Sequence, residues 1–253
     1  MHIPLDFAWL EATLLAGVRI TAFVVIAPPF SYGGFPLRVK AMLAMALALA
    51  MSGVVSPGYE TLDTAAFLSA LVVQVLTGAV LGFLVYVCFS AVQAAGGLID
   101  IFGGFQLAQA FDPQSLVNGA QFTRLLHMTA FALLFASGGY QIVLGGLARS
   151  FDAVPVDGLL DLASPAEMLV DGVVQMFLGA VQIAGPLLLV LFLADAGLGL
   201  ITRVAPALNA FAMGFPIKIL LTLVLAGFTF VALPGIIDAL TTEALRMMQG
   251  VGR

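Results

Sequence analysis

Charge is what this sequence has least of. Only 9% of its 253 residues are charged, 9 basic and 14 acidic, where a water-soluble domain carries about 25%. So few charges cannot cover a surface facing water. With 62% hydrophobic residues and a mean hydropathy of +1.13, the chain reads as an integral membrane protein. Histidine is nearly missing. His2 and His127 alone exclude a multi-histidine metal site and the HExxH zinc pattern. The one cysteine, Cys88, lies in an apolar run, so no internal disulfide can form and the side chain reads as a small packed group. No glycine-rich loop is followed by Lys-Ser or Lys-Thr. Gly197 and Gly199 begin a dinucleotide-like pattern, but Thr202 stands where the third glycine belongs. The net charge is −5 without any run of Lys or Arg, which gives no footing for nucleic acid. The N-terminus carries Asp6 and Glu11 and no basic stretch, so it does not read as a cleaved signal peptide, and the first helix is expected to direct its own insertion. Metals, cofactors and catalytic side chains are not expected, and the chain does not read as an enzyme.

What the sequence has instead is long apolar runs. Each far exceeds the ~10 residues of a membrane barrel strand and none alternates strictly, so they predict helices. Six helical regions are expected: 5–27, ended by Pro28-Pro29; 37–52; 64–99, with no charge between Asp63 and Asp100; 121–148; 165–202, containing Pro186; and 207–240, containing Pro216 and Pro234. The third is much longer than a ~30 Å hydrocarbon core requires. The connections alternate in charge. Residues 31–40 hold Arg38 and Lys40 without an acid, and 203–218 hold Arg203 and Lys218. Residues 53–63 hold Glu60 and Asp63 without a base, and 149–171 set Arg149 against five acids. The positive-inside rule puts the two basic connections on the cytoplasmic side and 149–171 on the opposite one, with both termini outside.

These helices are not simple lipid anchors. Gly-Gly occurs at 33–34, 96–97, 103–104, 138–139 and 145–146, and Gly78 with Gly82 makes a GxxxG pair that allows close helix approach. Seven glutamines, Gln74 among them, lie in or beside apolar runs, where each needs a hydrogen-bond partner. A subunit of a larger helical assembly fits this pattern better than a monomeric bundle with a polar core. Charges at membrane depth are expensive and are usually paired or functional. The candidates are Arg19, Asp100, Arg124, Asp195, Arg203 and Lys218. One reading makes Asp195, near the break at Pro186, an ion site of a small-molecule secondary transporter together with Arg203. Another pairs Asp195 with a base on a neighbouring helix. Asp195 is the only acid between Asp171 and Asp238, and a proton relay needs more than one titratable stop. Arg38, Lys40, Arg203 and Lys218 read equally well as interfacial charges. His127 reads as a packed or capping side chain.

One segment stands apart. AFDPQSLVNGAQ, residues 110–121, breaks the apolar pattern with Asp112-Pro113 and Asn118-Gly119, both turn-forming steps. On composition alone it reads as a surface loop.

Several of these residues carry a family resemblance. They are Arg19, Ala27-Pro28 and Pro36-Leu37-Arg38-Val39-Lys40. Farther on come Asp195, Leu198-Gly199-Leu200, Arg203-Val204-Ala205-Pro206, Leu208-Asn209, Phe211 and Gly214-Phe215-Pro216-Ile217-Lys218, with Asp112-Pro113 between the two groups. In these positions the chain resembles the FliR family of flagellar type III secretion, whose injectisome relatives are called SctT. Ala207 departs from it, since many relatives have Gln there. The resemblance covers nearly the whole chain and is most specific at 194–218, and the wording of 112–113 and 214–218 is closer to the flagellar branch. It implies an all-α integral membrane domain over 1–253, with FliP-like and FliQ-like parts joined in helical hairpins, assembled with FliP and FliQ into a multi-subunit export gate and accompanied by FlhB. The implied place is the bacterial inner membrane at the flagellar basal body, and the implied cargo is unfolded flagellar protein. It further implies that a loop at about 106–121 plugs the pore. Phe111, Leu116 and Val117 would then form an apolar seal, and Asp112, Pro113, Gln114, Ser115 and Asn118 would shape it or contact neighbouring subunits. Arg19, Arg38, Lys40, Asp195, Arg203 and Lys218 would be the charges that organise assembly.

Overall fold

The computed structural model describes residues 6–31, 33–105, 120–158, 163–205 and 210–251. The apolar runs fold as α1 (Phe7–Ile26), α2 (Leu37–Val55), α3 (Thr64–Phe102), α4 (Gln121–Ala136), α5 (Gly139–Ala153), α6 (Ala163–Val204) and α7 (Ala210–Gly250). No strand occurs among the described residues. The protein is an all-α integral membrane protein. Five of the helices are long and apolar enough to cross a membrane, and a sixth crossing is possible if α4 and α5 count as one bent span.

The helix ends follow local chemistry. Asp6 caps α1, its carboxylate accepting from the amides of Ala8 and Trp9 at 3.1 and 3.3 Å. Pro28-Pro29 stops α1, and Pro36 immediately precedes α2. Two expectations need correction. The region read as one helix over 121–148 is two, bent by 74°. Gly138 lies between them at φ 74°, a left-handed conformation that only glycine adopts cheaply and that commonly ends a helix. The last helix does not stop at 240 but runs to Gly250. Its charged final turns hide an apolar stripe, Ala244, Met248 and Val251, all buried, at the spacing of one helical face.

The residues cluster into two compact units. The first comprises 1–88, 138–173 and 240–253, and the second 89–137 and 174–239. In the first unit α1 lies against α2 and against α3. The approach to α3 is so close that a Cβ at Gly78 would overlap the carbonyl oxygen of Arg19, and one at Gly82 would stand 3.1 Å from the Phe23 carbonyl. The GxxxG pair therefore serves a contact inside this chain. Gly78→Ala should lower the thermal midpoint of the detergent-solubilised protein clearly more than Gly82→Ala, with overpacking costing about 1–3 kcal/mol. Equal midpoints for the two variants would refute that order. The first unit also brings the two acid-rich connections together, since 54–59 and 151–157 line one cavity.

In the second unit α4 buries Phe122, Leu126, Ala130 and Leu134, one residue per turn. They join a core that includes Val92, Ala95 and Ile99 of α3, Leu187 and Leu191 of α6, and Leu233 and Ile237 of α7. At 39, 42 and 41 residues, α3, α6 and α7 each reach about 60 Å at 1.5 Å per residue, twice the hydrocarbon core. Each contributes residues to both units.

Candidate functional site

Two buried polar networks stand out, one in each unit. The first is built on Arg19, which is fully buried. Its Nε donates to Gln74 Oε1 at 2.6 Å. Nη1 donates to the Ser150 carbonyl at 2.9 Å and to Ser150 Oγ at 3.2 Å, and Nη2 donates to the Val154 carbonyl at 2.6 Å. The Phe151 ring lies under the guanidinium, 4.3 Å from Cζ to the ring centre. Gln74 completes the set by donating from Nε2 to the Val156 carbonyl at 2.9 Å.

No carboxylate among the described residues takes part. The charge is balanced by carbonyl dipoles at the C-terminal end of α5, where the helix presents partial negative charge and unpaired acceptors. Arginine suits the task because its planar fork spreads five donors over acceptors in fixed directions, and it cannot be neutralised. The network ties α1, α3 and the end of α5 into one body. Gln74, expected to need a hydrogen-bond partner, finds a guanidinium donor and a carbonyl acceptor inside its own chain.

The second network is built on Asp100 near the end of α3, also fully buried. Oδ1 accepts from the Phe122 amide at 2.9 Å. Oδ2 accepts from the Thr123 amide at 2.9 Å and the Thr123 hydroxyl at 2.8 Å. The residue preceding α4, Ala120, has no side-chain acceptor to offer, so Asp100 caps α4 from 22 residues upstream. Gly96 makes room, since a Cβ there would come within 2.5 Å of the Thr123 Cα. Phe105 and Phe122 meet edge to face at 5.1 Å between ring centres. The two ends of the chain that flank residues 106–119 are thus held side by side.

The other charges singled out from sequence sit differently. Asp195 pairs with Lys218 at 2.6 Å, joining α6 to α7, with Lys218 mostly covered and Asp195 about half exposed. The base on a neighbouring helix is therefore Lys218, while Arg203 lies on α6 itself. Arg203 is exposed and makes no ion pair among the described residues. Arg38 is exposed and Lys40 partly so, both in the first turn of α2. His127 packs against Phe131, with ring centres 4.2 Å apart. Phe111, Asp112, Pro113, Gln114, Ser115, Leu116, Val117 and Asn118 lie outside the described residues. Among the described residues no three His, Cys, Asp or Glu side chains converge as a metal site would need.

Sequence reasoning flagged Arg19 and Asp100 as intramembrane charges but missed their partners. One signal pointed to Asp100: a helix starting at Gln121 with a Thr in its first turn and no Ser, Thr, Asp or Asn at 120 needs an acceptor from elsewhere.

The architecture is thus a set of overlong apolar helices braced from within by an arginine and an aspartate, and comparison with known proteins gives it a family. The family described as "Bacterial export proteins, family 1" matches residues 10–244. The chain belongs to the FliR family of bacterial export proteins. It is 30% identical to the flagellar biosynthetic protein FliR of Bacillus subtilis (strain 168) over 93% of each chain. It is equally identical to FliR of Escherichia coli (strain K12), over 84% of this chain and 81% of that one. The Yop proteins translocation protein T of Yersinia pestis is 29% identical over 79% of this chain and 78% of its own. This FliR-family chain is accordingly a membrane-embedded component of the flagellar and type III export machinery. The matched span includes Arg19, Gln74, Asp100 and Thr123.

Proposed function

We propose that the chain is a structural and gating subunit of the flagellar export gate, forming with FliP and FliQ the inner-membrane pore through which unfolded flagellar subunits leave, with FlhB attached. The observation that carries this reading is the match to flagellar FliR over nearly the full length, joined to large apolar faces that the chain leaves uncovered. On α6 and α7 alone, Leu189, Phe192, Leu193, Leu220, Val224, Phe228 and Val231 are exposed. Continuous apolar faces of this extent require lipid or neighbouring chains.

In this reading the chain works as one FliR-like domain in the inner membrane at the basal body, without catalysis of its own. Its chemistry is mechanical: buried polar networks hold the helices rigid, and the polar segment at about 106–121, rooted at the Asp100 cap, closes the pore. Phe111, Leu116 and Val117 supply the seal, while Asp112, Pro113, Gln114, Ser115 and Asn118 shape the turn and contact neighbouring subunits. Arg38, Lys40, Arg203 and the Asp195–Lys218 pair lie at positions where they can meet other subunits or headgroups.

The decisive measurement is the mass of the complex that a tagged chain brings out of its native membrane. A hetero-oligomer containing FliP- and FliQ-type subunits is expected. A lone monomer or homodimer that moves a small solute would sink the gate reading in favour of transport at Asp195. The plug role has its own test. Deleting residues 110–119 should leave assembly largely intact but let small solutes leak across the membrane, and an intact complex without added leak removes the plug from the mechanism.

A further inference from the structure

Within the first unit, α1, α2 and one residue of α3, Val75, border a groove of about 670 Å³. Its wall includes Trp9, Thr13, Gly17, Thr21, Ala41 and Met45. Small residues set its depth. A Cβ at Gly17 would stand 3.5 Å from that of Ala48, so the floor is the seam where the two helices touch. Leu14 and Met45 are exposed at the rim. The wall makes no polar demand. The Thr13 hydroxyl donates to the Trp9 carbonyl and the Thr21 hydroxyl to the Gly17 carbonyl, both at 2.7 Å, so each is satisfied within α1. From Leu10 to Ala22 the groove follows α1 for about 18 Å, and from Ala41 to Leu49 it follows α2 for about 12 Å. One leaflet, half of the ~30 Å hydrocarbon core, is about 15 Å deep. A single acyl chain has that length, whereas a spanning helix of a neighbour would lie outside the groove for about half of its course.

The two ends of the groove carry opposite charge. Residues 27–36 join α1 to α2, so the end of α1 and the start of α2 lie together. Arg38 and Lys40 stand there in the first turn of α2, in a stretch, 31–40, that holds no acid. Lys40 heads the row that continues at four-residue spacing as Ala44 and Ala48, both buried, on the side of α2 that turns to α1. Neither base belongs to an ion pair among the described residues. Pro36 at the N-cap offers the helix no side-chain acceptor, which leaves the positive end of the dipole open to an anion. The acids Asp6 and Glu11 flank Trp9 at the opposite end, at the start of α1. The positive-inside rule assigns the basic end to the cytoplasmic side, where the leaflet surface is anionic.

We propose that this groove binds one anionic phospholipid. An acyl chain lies along the seam of α1 and α2 with its methyl end toward Trp9, and the phosphate sits at Arg38, Lys40 and the start of α2.

Trp9 is the only tryptophan of the chain, so its fluorescence is the probe. The full chain is reconstituted in phosphatidylcholine vesicles with brominated phosphatidylglycerol or brominated phosphatidylcholine as a minor component. Phosphatidylglycerol brominated near the methyl end should quench Trp9 saturably, with an affinity on the order of tenfold above that of phosphatidylcholine, the advantage expected of two bases near an anionic headgroup. Bromines near the headgroup should give no such advantage, because they reach Trp9 only from the opposite leaflet. Arg38→Gln with Lys40→Gln should abolish the advantage, and Arg38→Lys with Lys40→Arg should keep it. Ala41→Phe fills the groove without changing charge and should also abolish it. All three side chains are exposed or partly so, so the fold should tolerate each change. Equal affinity for the two headgroups, or an advantage that survives the double glutamine variant, overturns the proposal. An advantage that survives Ala41→Phe overturns it too, since the bases would then draw headgroups to the surface without the groove. In the native assembly, a diazirine side chain placed at position 45 should crosslink to phospholipid. Crosslinking to a protein instead would show a neighbouring helix in the groove and end the argument.

Discussion

Replacing Arg19 with alanine should deplete the folded protein from the membrane. The substitution leaves Gln74 Oε1 and the Val154 carbonyl without their donor and opens a void beside Phe151. At about 1–3 kcal/mol for each buried acceptor left unpaired, plus the cavity, the loss is on the order of 4 kcal/mol. That is a large part of the roughly 5–15 kcal/mol that holds a typical protein folded. Arg19→Lys should fall between alanine and the parent, because an ammonium keeps the charge at the end of α5 but cannot span acceptors on two other elements. The measurement is the yield and thermal midpoint of the monodisperse protein in detergent. Gln74→Ala supplies the coupling test. Since Arg19 and Gln74 share one hydrogen bond, the double variant should lose markedly less than the sum of the single losses. Strict additivity, or an Arg19→Ala protein with the parental midpoint, would show that the network contributes nothing.

Asp100→Ala should loosen the start of α4. Three hydrogen bonds end on that carboxylate, and Ala120 at the N-cap supplies none from its own side chain. Charge-assisted bonds of this kind contribute about 1.5–3 kcal/mol. Amide exchange at Phe122 and Thr123 should therefore speed up on the order of tenfold to a hundredfold if those amides exchange through local opening. Thr123→Val removes only the hydroxyl bond and should have a smaller effect, while Asp100→Asn should lie between. Unchanged exchange in Asp100→Ala would mean that water or another group replaces the cap at no cost. If the proposed plug is right, the same variant should also raise the leak of small solutes in an otherwise intact complex, since Asp100 holds together the two ends between which 106–119 runs.

Both effects fall on residues that the sequence marked as intramembrane charges without showing what they do. Arg19 bonds to the carbonyls of Ser150 and Val154, more than 130 residues away. Every residue has a backbone carbonyl, so such a partner leaves no trace in residue type. Four of the five Gly-Gly pairs show the same limit. The pairs at 103–104 and 138–139 fall at helix ends, with Gly104 and Gly138 at positive φ. The pairs at 96–97 and 145–146 stay inside helices, where Gly96 abuts Thr123 and Gly146 abuts Met248. One dipeptide has opposite outcomes, and the neighbouring helix decides between them.

The sequence by itself determined the class of molecule. Scarce charge and long apolar runs leave a helical membrane protein as the solution, because every backbone polar group in hydrocarbon must be satisfied within its own element. The scarcity of histidine and cysteine and the lack of a phosphate loop disposed of most site chemistry, and the residues at 19–40 and 194–218 identified the family. The tertiary structure alone decided where the charges find partners, that the GxxxG pair faces α1 of the same chain, and that the helix after Gln121 breaks at Gly138. These outcomes depend on contacts between residues far apart in the chain, and in an apolar solvent the position of such a contact is set by close packing and by the satisfaction of a few buried polar groups, neither of which has a local signature.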